Sequence, residues 1–182
     1  MARNIFKGLG VALITPFTSD GNVDYKSLTR LVEYQIDNGA DFLCILATTS
    51  EAPCLSAEEK EKVKQLVIEV NRGRLPLLMG CGGNNTKAIV EELKNSDWRG
   101  IDGVLSVCPY YNKPSQEGLY QHFKAIAEAS PLPVVLYNVP GRTGVNLKAE
   151  TTVRLANDCE NIIAIKEASG NIGYTAKVAA KC

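Results

Sequence analysis

Residues 161–171, NIIAIKEASGN, contain the stretch that decides the fold, an isoleucine-rich run that ends in a lysine. Short apolar runs of this kind are typical of strands buried in a parallel sheet. Lys166 stands at the carboxyl end of the run, which is where parallel α/β proteins gather their ligands. Burial there favours the neutral amine, a nucleophile toward a carbonyl carbon. A lysine that caps the strand and reaches water fits the same position, so both interpretations stay open.

Similar runs recur along the chain and alternate with segments of helical periodicity. We predict strands at 10–17, 42–46, 75–79, 103–107, 134–137 and 162–166, and helices at 25–37, 57–71, 86–96, 116–129, 148–157 and 172–181. Ser56 and Glu59 have the spacing of a capping box, and Ser115 is placed to cap the helix that follows it. Strict alternation of strands and helices implies a parallel sheet, either a (β/α)₈ barrel or an open doubly wound sheet.

Polar and aromatic side chains follow nearly every predicted strand, as a barrel active site requires. They are Thr48, Thr49, Asn84, Tyr110, Tyr111, Tyr137, Arg142 and Lys166. The glycine-rich stretch at 80–85 is a poor dinucleotide fingerprint, because Asn85 stands where the last glycine belongs. We therefore predict an α/β fold of the (β/α)₈ TIM-barrel class, with residues 1–182 forming one partial catalytic domain.

The predicted barrel is incomplete. A TIM barrel needs eight strands and typically about 250 residues, whereas this chain has 182 residues and about six strand–helix units. The last two strands and any C-terminal helices would be absent, which leaves sheet edges open. We expect the sequence to be the N-terminal part of a longer protein, either natural or truncated.

Composition excludes several classes of protein. Twenty basic and 20 acidic side chains give zero formal net charge, which argues against nucleic acid as a partner. The polar start and the lack of any long apolar stretch predict no signal peptide and no membrane contact, and hence a cytoplasmic location. The six cysteines form no CxxC pair and are expected to be thiols. We expect no metal site, since the only histidine, His122, lies in a helical stretch as a surface or packing residue.

Two side chains at neighbouring strand ends suggest carbonyl chemistry. Tyr137 ends the strand before that of Lys166, and a phenol there could pass protons to and from a carbinolamine. If Lys166 faces the inside of the barrel, alternation places Ala164 and Ile162 on the same side. Taken singly, a tyrosine at this position is more often a core or rim aromatic, and it is the neighbouring Lys166 that favours an acid–base role.

Other side chains suit a small carboxylate. Thr48 and Thr49 offer two hydroxyls and two backbone N–H groups, and a guanidinium such as that of Arg142 binds a carboxylate through two hydrogen bonds. Taken alone, the threonines are better explained by local turn or cap bonding, and Arg142 is an ordinary surface arginine.

Four stretches of the sequence together resemble one known family. They are ATTSE (47–51), CPYYNKPSQEGLYQHF (108–123), LYNVPGRTG (136–144) and IKEASGN (165–171). In this order and spacing they resemble the dihydrodipicolinate synthase family of the pyruvate-dependent Schiff-base lyases and aldolases. The resemblance runs from about residue 6 to residue 181, and the chain resembles only the N-terminal two-thirds of such proteins.

The resemblance implies a reaction. Lys166 would form an imine and then an enamine with pyruvate, and the enamine would attack L-aspartate 4-semialdehyde to give 4-hydroxy-tetrahydrodipicolinate, in lysine and diaminopimelate biosynthesis. Tyr137 would transfer protons in a hydroxyl relay with Thr48 and Tyr111, and Tyr111 would come from the adjacent subunit.

The resemblance also implies binding roles and partners. Thr49 would contact the pyruvate carboxylate, and Arg142 would hold the carboxylate of the second substrate. The covalent Schiff base would need no cofactor, and the full-length protein would be a homodimer or homotetramer. Two alternatives remain: a related pyruvate aldolase such as N-acetylneuraminate lyase, and an inactive truncated fragment of the synthase.

The sequence departs from the family pattern in two regions. Ala47 and Ser50 stand where the family usually has glycine, and a serine would be strained if its backbone were left-handed. Asn84 and Tyr110 fit the usual pocket for feedback inhibition by lysine, but Ala88 replaces an acid and Ala57 replaces a histidine found in some members. We therefore predict weak or absent inhibition by lysine.

Overall fold

The computed structural model describes residues 5–182, so the first four residues of the polar start lie outside the described part of the chain. The described residues divide into two compact units. The N-terminal unit comprises Ile5–Gly80 and Trp98–Asp102, and the C-terminal unit comprises Cys81–Asp97 and Gly103–Cys182. None of the helices in this part of the chain has the length and apolar character needed to cross a bilayer.

The N-terminal unit consists of three parallel strands and two long helices. Its elements are β1 (Gly10–Ala12), α1 (Tyr25–Asp37), β2 (Phe42–Ile45), a 3₁₀ helix (Ala52–Cys54), α2 (Ala57–Asn71) and β3 (Leu77–Gly80). Gly10 pairs with Phe42, and Leu43 pairs with Leu77, both in parallel register. Val32 of α1 and Val67 of α2 are fully buried.

The C-terminal unit repeats the strand–helix alternation. Its elements are α3 (Thr86–Asn95), β4 (Gly103–Val107), α4 (Gln116–Ala129), β5 (Val134–Asn138), α5 (Pro140–Thr143), α6 (Ala149–Asp158), β6 (Ile162–Glu167) and α7 (Ile172–Ala179). Strand β5 pairs in parallel with β4 and with β6. Val134 is fully buried and Leu136 nearly so, which anchors β5 in the core of this unit.

Helix ends follow the predicted capping residues. The Ser56 side chain accepts a hydrogen bond from the Glu59 N–H, and the Glu59 carboxylate accepts one from the Ser56 N–H, so the capping box is confirmed. The Ser115 side chain accepts from the Gly118 N–H. Each bond satisfies a backbone donor that the first turn of a helix leaves without a partner.

Strand boundaries differ from the prediction at the first and third strands. Strand β1 ends at Ala12 rather than at residue 17, and Phe17 instead forms an antiparallel bridge with Val23. Strand β3 begins at Leu77, directly after Pro76, which has no N–H to donate to a neighbouring strand. The short helix α5 occupies a segment for which no element was predicted.

The placement of Ile162 was predicted wrongly. Val134 pairs with Ile162 but Val135 pairs with Ala164, so Ile163 is an extra residue in a bulge. Because successive residues point to opposite faces, Ala164 shares a face with Lys166, as expected, whereas Ile162 lies on the other face.

The histidine and four of the six cysteines are buried packing residues, whereas Cys54 and Cys182 are exposed. All six cysteines are thiols, and Cys81, Cys108 and Cys159 are buried. His122 is buried in α4, where its Nδ1 lies 2.8 Å from the Thr86 hydroxyl. Burial lowers the pKa of His122 to about 4, so this imidazole is neutral at physiological pH.

Candidate active site

The site begins with a pair of side chains at the carboxyl ends of β5 and β6. Tyr137 stands directly opposite Lys166 in the parallel register, and the Lys166 Nζ lies 4.5 Å from the centroid of the Tyr137 ring. Only 6% of Tyr137 is exposed, and Lys166 is half-buried. The structure therefore brings together the amine and the phenol that the sequence placed at neighbouring strand ends, within contact range of a cation and an aromatic face.

A small residue lies beside Lys166 on the same face of β6, and its partner on β5 is buried. Ala164 shares the face of Lys166 and contributes only a methyl group, and its partner Val135 is buried. The Tyr137 carbonyl accepts a hydrogen bond from the Cys108 N–H at 3.0 Å, which ties β5 to the end of β4. Burial raises the pKa of the Cys108 thiol to about 12, so this cysteine is not a competing nucleophile.

Arg142 lies in α5, four residues beyond the end of the strand that carries Tyr137. Its N–H donates to the Val139 carbonyl at 2.9 Å, and the turn closes at Gly144, whose φ is 71°. The side chain of Arg142 is exposed. A guanidinium held on a short, closed turn is available to an anionic ligand.

Tyr111 occupies a very different environment. It is 89% exposed and has a φ of 74°, a left-handed backbone that few non-glycine residues adopt. The Asn84 amide donates to the Tyr110 carbonyl at 3.2 Å, and the Asn112 amide donates to the Asn84 carbonyl at 3.4 Å. The loop therefore has a defined anchor at Asn84, and Asn84 and Tyr110 are neighbours, as a shared pocket would need.

Thr48 and Thr49 belong to the N-terminal unit and are exposed in a tight turn after β2. The Ser50 N–H donates to the Ala47 carbonyl at 3.2 Å, and the Glu51 N–H donates to the Thr48 carbonyl at 3.1 Å. The turn places both threonine side chains at the surface of this unit.

Ser50 does not carry the strain that its replacement of glycine suggested. The left-handed residues of this region are Leu46 and Glu51, with φ values of 50° and 53°. Ser50 is 2% exposed, and its hydroxyl donates to the Leu13 carbonyl at 2.7 Å. Its own carbonyl accepts from the Thr15 hydroxyl at 2.8 Å, so this serine joins the turn to the segment after β1.

Two polar residues for which the sequence predicted no role, Asn138 and Glu167, lie directly beyond Tyr137 and Lys166. Asn138 is fully buried and pairs with Glu167 in the strand register. The Asn138 amide donates to Oε2 of Glu167 at 2.8 Å. A buried asparagine at the end of an otherwise apolar strand was the available signal, since such a group needs specific partners.

Comparison with known proteins identifies the family. The model of the dihydrodipicolinate synthetase family matches residues 5–182. The chain belongs to this family. The 4-hydroxy-tetrahydrodipicolinate synthase of Phocaeicola vulgatus is 66% identical over 172 residues, which cover 94% of this chain and 58% of that protein. The chain thus spans less than three-fifths of the length of that curated relative.

Solved structures of dihydrodipicolinate synthases support the same assignment. The chain is 44% identical to the enzyme from Thermotoga maritima, with a TM-score of 0.93 over 97% of this chain and 60% of that one. It is 49% identical to the chloride-inhibited enzyme from Acinetobacter baumannii in complex with pyruvate, with a TM-score of 0.90 over 95% of this chain and 60% of that one. The predicted fold is confirmed: the six strands belong to the N-terminal part of a TIM barrel of the dihydrodipicolinate synthase family.

Proposed function

We propose that the protein to which this chain belongs condenses pyruvate with L-aspartate 4-semialdehyde to give 4-hydroxy-tetrahydrodipicolinate, for lysine and diaminopimelate biosynthesis. The observation that carries the proposal is the contact of the Lys166 Nζ with the Tyr137 ring, 4.5 Å from its centroid, at the ends of two paired strands. Family membership and the printed name of the 66% identical relative support the same reaction.

The proposed chemistry starts at Lys166. Its neutral amine attacks the ketone carbon of pyruvate, water leaves, and an imine forms between the two. Loss of a proton from the methyl carbon then gives an enamine, with the protonated imine nitrogen accepting the electron pair. The enamine carbon attacks the aldehyde carbon of the second substrate, and the aldehyde oxygen takes up a proton to become a hydroxyl. The amino group of that substrate then attacks the imine carbon, which closes the ring and releases Lys166 as the free amine. Proximity and proton delivery are the main demands on the protein.

Proton delivery is assigned to hydroxyl groups. Tyr137 is the proposed central proton-transfer residue, since its phenol belongs to the side chain that contacts Lys166. Thr48 and Tyr111 keep the relay roles that the family resemblance implied. The 89% exposure of Tyr111 supports a role in the site of a second copy, because a side chain that its own chain leaves open can insert into a neighbour.

Carboxylate binding is assigned to Thr49 and Arg142. We propose that Thr49 contacts the carboxylate of pyruvate and that Arg142 holds the carboxylate of L-aspartate 4-semialdehyde. The exposure of both side chains supports these roles, since an incoming anion can reach them without displacing packed groups. The proposed reaction requires no cofactor, because the covalent Schiff base at Lys166 is the reactive group.

The proposal extends to assembly and location. A homodimer is the smallest assembly in which Tyr111 can serve a neighbouring site, and a homotetramer contains such dimers. The cytoplasmic location expected from the sequence stays part of the proposal. The chain by itself is a candidate for an inactive fragment, because it covers 58% of a curated relative.

The choice of acceptor separates the synthase from sister aldolases. Arg142 and the Tyr110–Tyr111 pair suit a small acidic aldehyde better than the long polyol of N-acetylneuraminate lyase. With pyruvate present, the protein as its gene encodes it should consume L-aspartate 4-semialdehyde and leave sugar acceptors unchanged, as measured by mass spectrometry of the products. Turnover of N-acetylmannosamine without turnover of the semialdehyde would assign the protein to the sister activity.

A further inference from the structure

The side-chain amide of Asn138 uses every hydrogen-bonding group it has. Its nitrogen donates to Oδ1 of Asn146 and to Oε2 of Glu167, each at 2.8 Å, and its oxygen accepts from the Leu147 N–H at 3.0 Å. Asn138 is fully buried, so water does not compete for these groups. An amide with two donors and one acceptor engaged holds a single orientation.

Asn138 lies on β5 directly after Tyr137, and its amide contacts the residue directly after Lys166 on β6. Asn138 and Glu167 are paired one residue beyond Tyr137 and Lys166. The Asn138 carbonyl also accepts from the Ala168 N–H at 2.9 Å. The other carboxylate oxygen of Glu167 accepts from the Ser169 N–H, so both oxygens have donors. The end of β6 is thus held from its side chain and from its backbone.

The same amide holds the segment that follows the Arg142 turn. Asn146 and Leu147 come directly after the turn, which ends at Gly144. The far side of this segment is held by Gln116, whose amide donates to the Asn146 carbonyl at 2.8 Å and accepts from the Lys148 N–H at 2.9 Å. Two side-chain amides therefore hold residues 146–148, and Asn138 is the one that also contacts strand β6, which carries Lys166.

We propose that Asn138 is a positioning residue that fixes the Arg142 turn relative to the Lys166 strand. This inference rests on the proposed function, because it assigns the two linked elements to the two substrates. Lys166 holds the pyruvate-derived carbon and Arg142 holds the carboxylate of the acceptor aldehyde, so their relative position sets the distance over which the carbon–carbon bond forms. Displacement of a reacting group by about 1 Å can cost roughly a hundredfold in rate.

A substitution that keeps the shape of Asn138 tests the proposal. Asn138→Asp removes both donors and sets a carboxylate against that of Glu167, so the side-chain bonds to Asn146 and Glu167 are lost. We expect kcat/KM for L-aspartate 4-semialdehyde to fall by about a hundredfold, with a larger rise in the KM of the semialdehyde than in that of pyruvate. An equal effect on both substrates, or a change below threefold, would overturn the assignment.

A compensating variant separates positioning from general damage. In the double variant Asn138→Asp with Glu167→Gln, the new glutamine amide can donate to the new aspartate, and the Asn146 amide can turn to donate as well. We expect kcat/KM of the double variant to be at least tenfold higher than that of Asn138→Asp alone. A double variant no better than Asn138→Asp would count against the proposal.

A matched control addresses stability. Asn71 is a buried asparagine of the N-terminal unit, where its amide donates to the Leu75 carbonyl at 2.7 Å. Asn71→Asp makes the same chemical change and should lower the melting temperature without altering the ratio of the two KM values. A shift of that ratio equal to the one for Asn138→Asp would show a generic effect of destabilisation and overturn the assignment.

Hydrogen exchange keeps this inference distinct from the proposed function. Asn138→Asp should speed amide exchange in peptides that cover residues 144–148, and the double variant should reverse the change, whatever reaction the protein catalyses. If wild-type protein forms no adduct with pyruvate and borohydride, the proposed function fails. Hydrogen exchange still tests whether Asn138 links the Arg142 turn to the Lys166 strand. Unchanged exchange in Asn138→Asp would overturn the link itself.

Discussion

The paired ends of β5 and β6 and the loop at residues 109–115 present two tyrosines for the same proposed proton relay in opposite ways. Tyr137 is 6% exposed, stands in regular strand register and contacts Lys166. Tyr111 is 89% exposed and has a φ of 74°. One phenol is packed by its own chain, and the other is held out from it on a strained backbone.

The contrast indicates where preorganisation comes from in each region. A strand end surrounded by buried residues fixes a side chain before any ligand arrives. An exposed side chain makes few contacts within its own chain that would offset the energetic cost of a left-handed backbone. Such strain is typical of functional positions. We therefore expect Tyr137 to act in its own copy and Tyr111 to act only after two copies associate.

The largest expected effect is that of Tyr137→Phe. This change keeps the ring beside Lys166 but removes the proton-transferring hydroxyl, so kcat should fall by about 10²- to 10⁴-fold. Steady-state rates with both substrates give the measurement. Tyr120→Phe is the matched control, because the buried Tyr120 donates its hydroxyl to Asp158 at 2.8 Å and has no assigned part in the reaction. Equal rates for Tyr137→Phe and wild type would remove Tyr137 from the relay.

A smaller effect, and a different pattern, is expected for Tyr111→Phe. We expect a loss of about a hundredfold, at the lower end of the range for proton transfer, because the packed phenol of Tyr137 remains in place. Mixing Tyr111→Phe protein with Lys166→Ala protein should restore about a quarter of the wild-type rate, because random pairing makes half of the dimers mixed and each mixed dimer has one complete site of two. No recovery after subunit exchange would place Tyr111 in its own copy's site.

The strain at Tyr111 predicts a gain in stability. Tyr111→Gly should raise the free energy of unfolding by about 1 kcal/mol, because glycine adopts a left-handed backbone without the Cβ clash. Urea unfolding measures the change. Tyr110→Gly is the control, since it makes the same chemical change at a neighbouring residue outside the set with positive φ, where glycine gains nothing. A Tyr111→Gly variant less stable than wild type would show that the loop conformation is not strained.

The smallest effect is expected for inhibition by free lysine, which would bind beside the same loop. Asn84 and Tyr110 are in contact, but Ala88 offers no anion for the lysine ammonium. Saturating L-lysine should change the rate of the full-length protein little, and Ala88→Glu should increase the inhibition. A rate halved by lysine in the wild-type protein would contradict this prediction.

Much of the fold followed from local chemistry. Helices α1, α2 and α4 lie where the apolar spacing and their capping residues predicted them. Strands β4, β5 and β6 begin at the predicted residues, because continuous apolar runs bounded by polar residues are typical of buried parallel strands. The proximity of Lys166 and Tyr137 followed from the rule that neighbouring parallel strands align their carboxyl ends.

The remaining features depend on contacts distant in sequence. The bulge at Ile163 is a property of the pairing between two strands, and nothing in the run of isoleucines marks it. The link from Asn138 to Asn146, Leu147 and Glu167 needs three segments to be folded before it can form. The strain at Tyr111 has no local sequence signal either, since tyrosine does not favour a left-handed backbone.

Covalent trapping of pyruvate tests the central claim most directly. The protein as its gene encodes it is incubated with pyruvate and borohydride, weighed intact, and mapped by peptide mass spectrometry. The account predicts one reduced pyruvate adduct per chain, located on Lys166 and lost in Lys166→Ala. An absent adduct, or one that lies on another lysine and persists in Lys166→Ala, would contradict it.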